Sequence, residues 1–119
     1  MKETKLGVIE AKFADIIWKK EPIATAELIK ICEKEFGWKR TTTYTVLKRL
    51  SDKGIFAIEN ATVSAILSRD EYYAKQSESF VEETFEGSLP AFLAAFTSKR
   101  KLSKKEVDEI KKMIDNYGE

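Results

Sequence analysis

The sequence predicts a mostly α-helical chain with one small β-hairpin, placed after the third of six helices. Three observations carry this reading. Apolar residues recur at three- and four-residue steps over most of the chain. The period shortens to a β-prone pattern only between Ile55 and Ile66. Capping and breaking residues fall where those patterns begin and end.

Leu6, Ile9, Phe13, Ile16 and Ile17 mark a first helix, roughly residues 8–19, with one buried face. Glu21-Pro22 stops it, because the residue before proline is pushed out of helical angles. Thr25 is expected to cap a second helix that buries Leu28, Ile29, Cys32 and Phe36, and Gly37 closes it. Thr41 is expected to cap a third helix with Thr43, Val46, Leu47 and Leu50 inward, ended by Gly54. Ile55-Phe56-Ala57-Ile58 and Thr62-Val63-Ser64-Ala65-Ile66 read as two short strands joined by a turn at Glu59-Asn60-Ala61. Ser68 with Glu71 forms a capping box that opens a long fourth helix reaching about Phe85, and Gly87 breaks it. Ser88-Leu89-Pro90 starts a short fifth helix. Ser103 with Glu106 is a second capping box, opening a last helix with Val107, Ile110, Met113, Ile114 and Tyr117 inward and Gly118 as its stop.

Three helices followed by a hairpin is the order of a winged helix-turn-helix. Residues 1–68 are therefore expected to form a winged-helix DNA-binding domain, and residues 69–119 a helical dimerisation region. About 50 residues without disulfides or metal rarely fold alone. Some eight large apolar side chains left bare there would forgo more than ~10 kcal/mol, comparable to the stability of a whole domain. A second copy of the same arm covers them in a two-fold homodimer. Tyr73, Phe80, Phe85, Leu89, Phe92, Leu93, Phe96, Ile110, Met113 and Ile114 are the expected dimerisation residues. The alternative is an arm folded back on its own head as one monomeric core.

Composition narrows the function. The chain lacks histidine, which removes His-based acid–base catalysis and the common zinc sites. The one cysteine, Cys32, reads as a small core residue and not a nucleophile. Adjacent carboxylates such as Glu82-Glu83 splay apart on a helix and read as solvated faces. No cofactor, metal or membrane insertion is expected; the N-terminal Met1-Lys2-Glu3-Thr4-Lys5 is not a secretory signal, and a cytoplasmic location follows.

The net charge is only +1, but it is unevenly spread. Residues 39–53 carry Lys39, Arg40, Lys48, Arg49 and Lys53 against Asp52 alone, while residues 78–86 hold four glutamates. On the third helix Thr42, Thr45 and Arg49 fall on one side, with Tyr44 and Lys48 beside them. Threonine hydroxyls and methyls can read base edges, arginine can grip guanine with two hydrogen bonds, and lysine or tyrosine can hold phosphates. Lys39, Arg40, Thr41, Thr42, Tyr44, Thr45, Lys48 and Arg49 are accordingly the expected contacts to double-stranded operator DNA. Three consecutive threonines cost helix propensity, which a purely structural helix would avoid. Trp38 is expected to pack between helices two and three, Trp18 to lie in the core, and Lys99-Arg100-Lys101 to be a solvated charge run.

These residues resemble the penicillinase-repressor family, the BlaI/MecI-like regulators. Glu10-Ala11-Lys12-Phe13 through Ile17-Trp18 is similar to that family's opening helix. The run from Trp38 through Thr42, Thr45, Leu47, Arg49 and Leu50 to Gly54 is similar to its recognition helix. Ser68-Arg69-Asp70-Glu71-Tyr72, Phe85-Glu86-Gly87-Ser88-Leu89, Phe96 and Leu102-Ser103-Lys104-Lys105-Glu106 complete the pattern. The resemblance implies repression at inverted-repeat operators, often of β-lactam resistance or related stress genes, with release by a sensor-linked protease. This chain departs from it in two places. The aligned cleavage pair is Ala95-Phe96 in place of Asn-Phe, and residues 55–68 contain no Lys or Arg, where family wings are basic. A nonbasic wing favours one alternative: an interaction adaptor that keeps the winged-helix fold without binding an operator.

Overall fold

Six helices and a three-stranded antiparallel sheet follow one another through residues 5–118, the part of the chain described by the computed structural model. Their order is α1 (Val8–Lys20), β1 (Ile23–Ala24), α2 (Thr25–Phe36), α3 (Arg40–Asp52), β2 (Phe56–Glu59), β3 (Thr62–Ala65), α4 (Arg69–Phe85), α5 (Leu89–Lys99) and α6 (Lys104–Tyr117). The residues Met1 to Thr4, read above for a leader, lie outside the described residues. The architecture is a winged helix followed by a helical arm. The chain divides into two compact units, one ending at Gln76 and the other beginning at Ser77. The first two turns of α4 thus belong to the first unit, eight residues beyond the expected boundary at 68/69.

In the first unit each helix turns its four-residue apolar spacing inward. Phe13, Ala14 and Ile17 of α1, Leu28 and Cys32 of α2, and Val46, Leu47 and Leu50 of α3 are buried together with Ile55, Phe56 and Val63. Tyr72 of α4 closes the same core. Strands β2 and β3 pair from Phe56↔Ala65 to Glu59↔Thr62, and the turn places both Asn60 and Ala61 at positive φ, as a tight hairpin requires. Strand β1 adds a third partner that periodicity could not announce: Ile23 pairs with Val63 and Ala24 with Thr62.

That strand also corrects the expected cap of α2. Ala24, still in the sheet, stands at the cap position, and Thr25 is the first helical residue, buried, its N–H donating to Ala61 O at 2.9 Å. The expected cap of α3 is corrected too. The Thr43 N–H bonds to Lys39 O at 3.1 Å, so the helix starts at Arg40 with Lys39 at the cap, and there is no side-chain cap bond because the lysine ammonium has no acceptor to offer. Thr41 lies inside that turn. Both α4 and α6 begin with the expected capping boxes: the Glu71 N–H donates to Ser68 Oγ at 3.0 Å and the Glu106 N–H to Ser103 Oγ at 3.1 Å.

The second unit has no residue of α5 or α6 fully buried. Gly87 ends α4 at φ +80, with its N–H bonded to Val81 O, and Ser88 caps α5. Phe92 meets Phe80, Phe85 and Phe96 at ring-centroid distances of 5.7–6.2 Å. Met113, Ile114 and Tyr117 of α6, expected inward, are exposed within the single chain, Tyr117 to 85%. Gly118 follows with an extended φ of −76°, not a left-handed stop.

Candidate nucleic-acid interface

The surface of interest is built by the turn between α2 and α3. Gly37 takes φ +67°, which a glycine adopts without steric cost, and its N–H bonds to Glu33 O at 3.0 Å. Trp38 then packs its ring 4.7 Å from Phe36 of α2 and 5.6 Å from Phe13 of α1, so its ring contacts lie with α2 and α1 and not between α2 and α3 as expected. The three-residue turn Gly37, Trp38, Lys39 leads directly into α3, a helix-turn-helix connection.

Because Thr43, Val46, Leu47 and Leu50 face the core, the remaining side chains of α3 face solvent. Lys39, Arg40, Thr41, Thr42, Tyr44, Thr45, Lys48 and Arg49 are all exposed. The fold therefore gathers every residue expected to contact DNA on one helix and its leading turn. Arg40 lies 5.5 Å over the Tyr44 ring, a cation–π contact that orients both. The Thr45 hydroxyl donates to Thr41 O at 2.9 Å, which spends its proton inside the helix and leaves its oxygen as an acceptor and its methyl outward. Such a group suits base amino donors and the thymine methyl. Lys48 reaches Asp52 at 3.8 Å, an exposed pair of little energetic weight.

Arg49 is held more firmly. Its Nη1 donates to Glu10 Oε2 of α1 at 3.0 Å. Lys53 approaches the other oxygen of Glu10 at 4.0 Å and donates to Lys5 O at 3.2 Å. Partial burial alone would raise the Glu10 carboxyl. The Gly7 N–H, the Arg49 guanidinium and the Lys53 ammonium outweigh it and hold the group below the ordinary carboxylate range. Sequence reasoning missed Glu10, since 39 residues separate it from Arg49 and no local spacing signals the pair.

Cys32 is buried, and burial pushes its thiol up to about 11, with the neighbouring Thr43 hydroxyl opposing. A thiol so high is protonated and inert at neutral pH. Thr43 Oγ1 is buried without a conventional partner; the soft Cys32 sulfur is a weak one. Trp18 is half-buried, its Nε1–H donating to Leu67 O at 2.9 Å. Tyr73, assigned above to the dimerisation set, packs in the first unit against Trp18 and Tyr72, with the Arg69 guanidinium 4.9 Å over its ring. The wing carries no cation, and Ile58, Glu59 and Asn60 are exposed at its end. No helix among the described residues is long and apolar enough to cross a membrane.

Comparison with known proteins finds relatives along nearly the whole chain. The chain is 26% identical to the penicillinase repressor of Bacillus licheniformis over 114 residues, covering 91% of this chain and 88% of that protein. It is 21% identical to the methicillin resistance regulatory protein MecI of Staphylococcus aureus over 118 residues, 96% of each. Against the penicillinase repressor of Staphylococcus aureus it is 22% identical over 121 residues, covering 98% and 96%. The family model described as penicillinase repressor matches residues 6–116. The chain belongs to the penicillinase repressor family, a family of transcriptional repressors and not of enzymes.

Proposed function

We propose that this repressor acts as a homodimer on a pseudo-palindromic operator, reading one half-site with each α3. The observation that carries the reading is the outward face of α3. Thr42, Tyr44, Thr45, Lys48 and Arg49 are exposed together, and no acidic side chain interrupts them before Asp52. Threonine and arginine on this face supply hydrogen bonds for base edges, and lysine and tyrosine supply phosphate contacts. Dimerisation is supported by the second unit, where Phe80, Leu89, Phe96, Met113 and Ile114 leave 40–57% of their surface to water. Half-sites then lie about one helical turn apart, or a multiple of it. The proposed targets are β-lactam resistance or related stress genes, acted on in the cytoplasm; the relatives' names, penicillinase repressor and methicillin resistance regulatory protein, support the first of these. Release by a sensor-linked protease is the weaker part of the analogy, because Ala95-Phe96 stands where the Asn-Phe pair is expected.

The test is a gel-shift titration on a duplex enriched by the protein from a random-sequence pool. Arg49→Ala loses at least about tenfold in specific affinity. Lys48→Ala weakens all duplexes alike and lowers the salt slope by about one. An unchanged Arg49→Ala overturns the assignment of α3.

The cation-free wing favours a second reading, in which the fold serves as a protein-interaction adaptor. That reading expects no sequence enriched from the pool and no salt-sensitive affinity for any duplex.

A further inference from the structure

An arginine reads guanine well only if its planar fork is already in place, since ordering a long side chain on binding costs affinity. The surroundings of Arg49 meet that need in an unusual way. Its partner Glu10 comes from α1, outside the helix-turn-helix, and is itself pinned. Glu10 Oε1 accepts the Gly7 N–H at 3.1 Å and lies 4.0 Å from Lys53 Nζ, while Oε2 accepts from Arg49. Exposure rises along the cluster: 14% for the Lys53 side chain, 17% for Glu10 and 53% for Arg49. The anchored end is thus covered and the guanidinium end open. Only Nη1 of Arg49 is bonded to a protein acceptor among the described residues. The remaining donors of the fork suffice for a bidentate contact with guanine O6 and N7.

We propose that Glu10 is a positioning residue for base reading: its carboxylate, fixed on α1, holds the Arg49 guanidinium ready at the surface of α3. This rests on the DNA-reading role of α3. A plain staple between α1 and α3 would differ in one respect. Its loss would change stability, but it would not change how the folded protein ranks one duplex against another.

The test compares wild type, Glu10→Gln, Arg49→Gln and the double variant in the full chain. Each is titrated with the duplex selected by wild type and with a scrambled duplex of equal length. Tryptophan fluorescence checks that each variant is folded. Glu10→Gln keeps every cation and removes a negative charge, so affinity for the scrambled duplex holds or rises. Affinity for the selected duplex falls, and the ratio between them drops about threefold to tenfold. In the double variant the ratio equals that of Arg49→Gln alone, because Glu10 acts through Arg49. A ratio unchanged in Glu10→Gln, or a further drop in the double variant, overturns the proposal while leaving α3 as the reader. A wild type that enriches no sequence overturns the reader, and the proposal with it. Glu10→Asp, one methylene shorter, gives the same comparison should the neutral variant fail to fold.

Discussion

Among the described residues of the first unit thirteen hydrophobic ones are buried, from Phe13 to Tyr72, whereas from Ser77 to Gly118 none is. Both regions are rich in large apolar groups, yet only the first encloses them. Three helices and a sheet can surround a common centre, while the helical segments after Ser77 leave aromatic and aliphatic faces in water. A domain core and an interface begin from the same residue types, and what separates them is whether one chain can cover them. The first unit therefore explains its own stability. The homodimer proposed above would supply the cover that the second lacks.

The most severe test of this contrast is Phe92→Asp. Phe92 touches Phe80, Phe85 and Phe96, so a carboxylate there faces three rings. Sedimentation should show monomers at concentrations where wild type is dimeric. Operator affinity should fall at least about a hundredfold, because two linked heads become one. Both tryptophans, Trp18 and Trp38, lie in the first unit, so their fluorescence should stay native. A lost tryptophan signal would mean that the fold of the first unit depends on the second.

Leu47→Ala reverses the design. Leu47 is fully enclosed, and its truncation should cost about 2–5 kcal/mol in tryptophan-monitored denaturation. Far-UV helicity of the wild-type arm should depend on protein concentration, as stability linked to association does. The midpoint shift caused by Leu47→Ala should not.

A smaller effect compares matched glycines. Gly37 at φ +67° and Gly87 at φ +80° both hold left-handed backbone. A Cβ on Gly37 meets nothing within 4 Å, and one on Gly87 meets the flexible end of Glu82 at 2.8 Å. Each alanine variant should thus cost about 1 kcal/mol from backbone strain. Gly37→Ala should appear in the tryptophan transition and Gly87→Ala only in helicity.

What the sequence made legible follows the range of the forces involved. Local signals sufficed for α4 and α6, since a capping box is closed by residues three apart. The inward face of α3 was legible as Val46, Leu47 and Leu50 because helical spacing alone defines it. Strand β1 was hidden: Ile23 and Ala24 are too few to show a period and are extended only because β3 is there to pair. The same pairing displaced the cap expected at Thr25. Tyr73 was legible as apolar but not as the head's neighbour, since its contact with Trp18 spans 55 positions. At the candidate interface the exposed threonines and cations could be read from α3 alone, but Glu10 could not.

Acidification separates the units by the smallest margin. In the first unit the Glu10 carboxyl is lowered although partial burial opposes it, through the Gly7 N–H, Arg49 and Lys53. In the second, the Ser103 N–H lowers Glu106 against slight desolvation, helped by the Ser103 hydroxyl and Arg100. A carboxyl lowered on folding stabilises fully above its unfolded value, about 4.3, and that contribution is lost as pH falls through the folded value. Tryptophan-monitored midpoints measured from pH 6 downward should therefore begin to drop below about pH 4.3. In Glu10→Gln the drop should be shallower, with the midpoint at pH 6 already lower. Glu106→Gln should flatten only the helicity transition, and by less, because its carboxylate stands in solvent and is screened. Tryptophan curves for Glu10→Gln and wild type that run parallel through this range would show that the Glu10 cluster contributes nothing to the head.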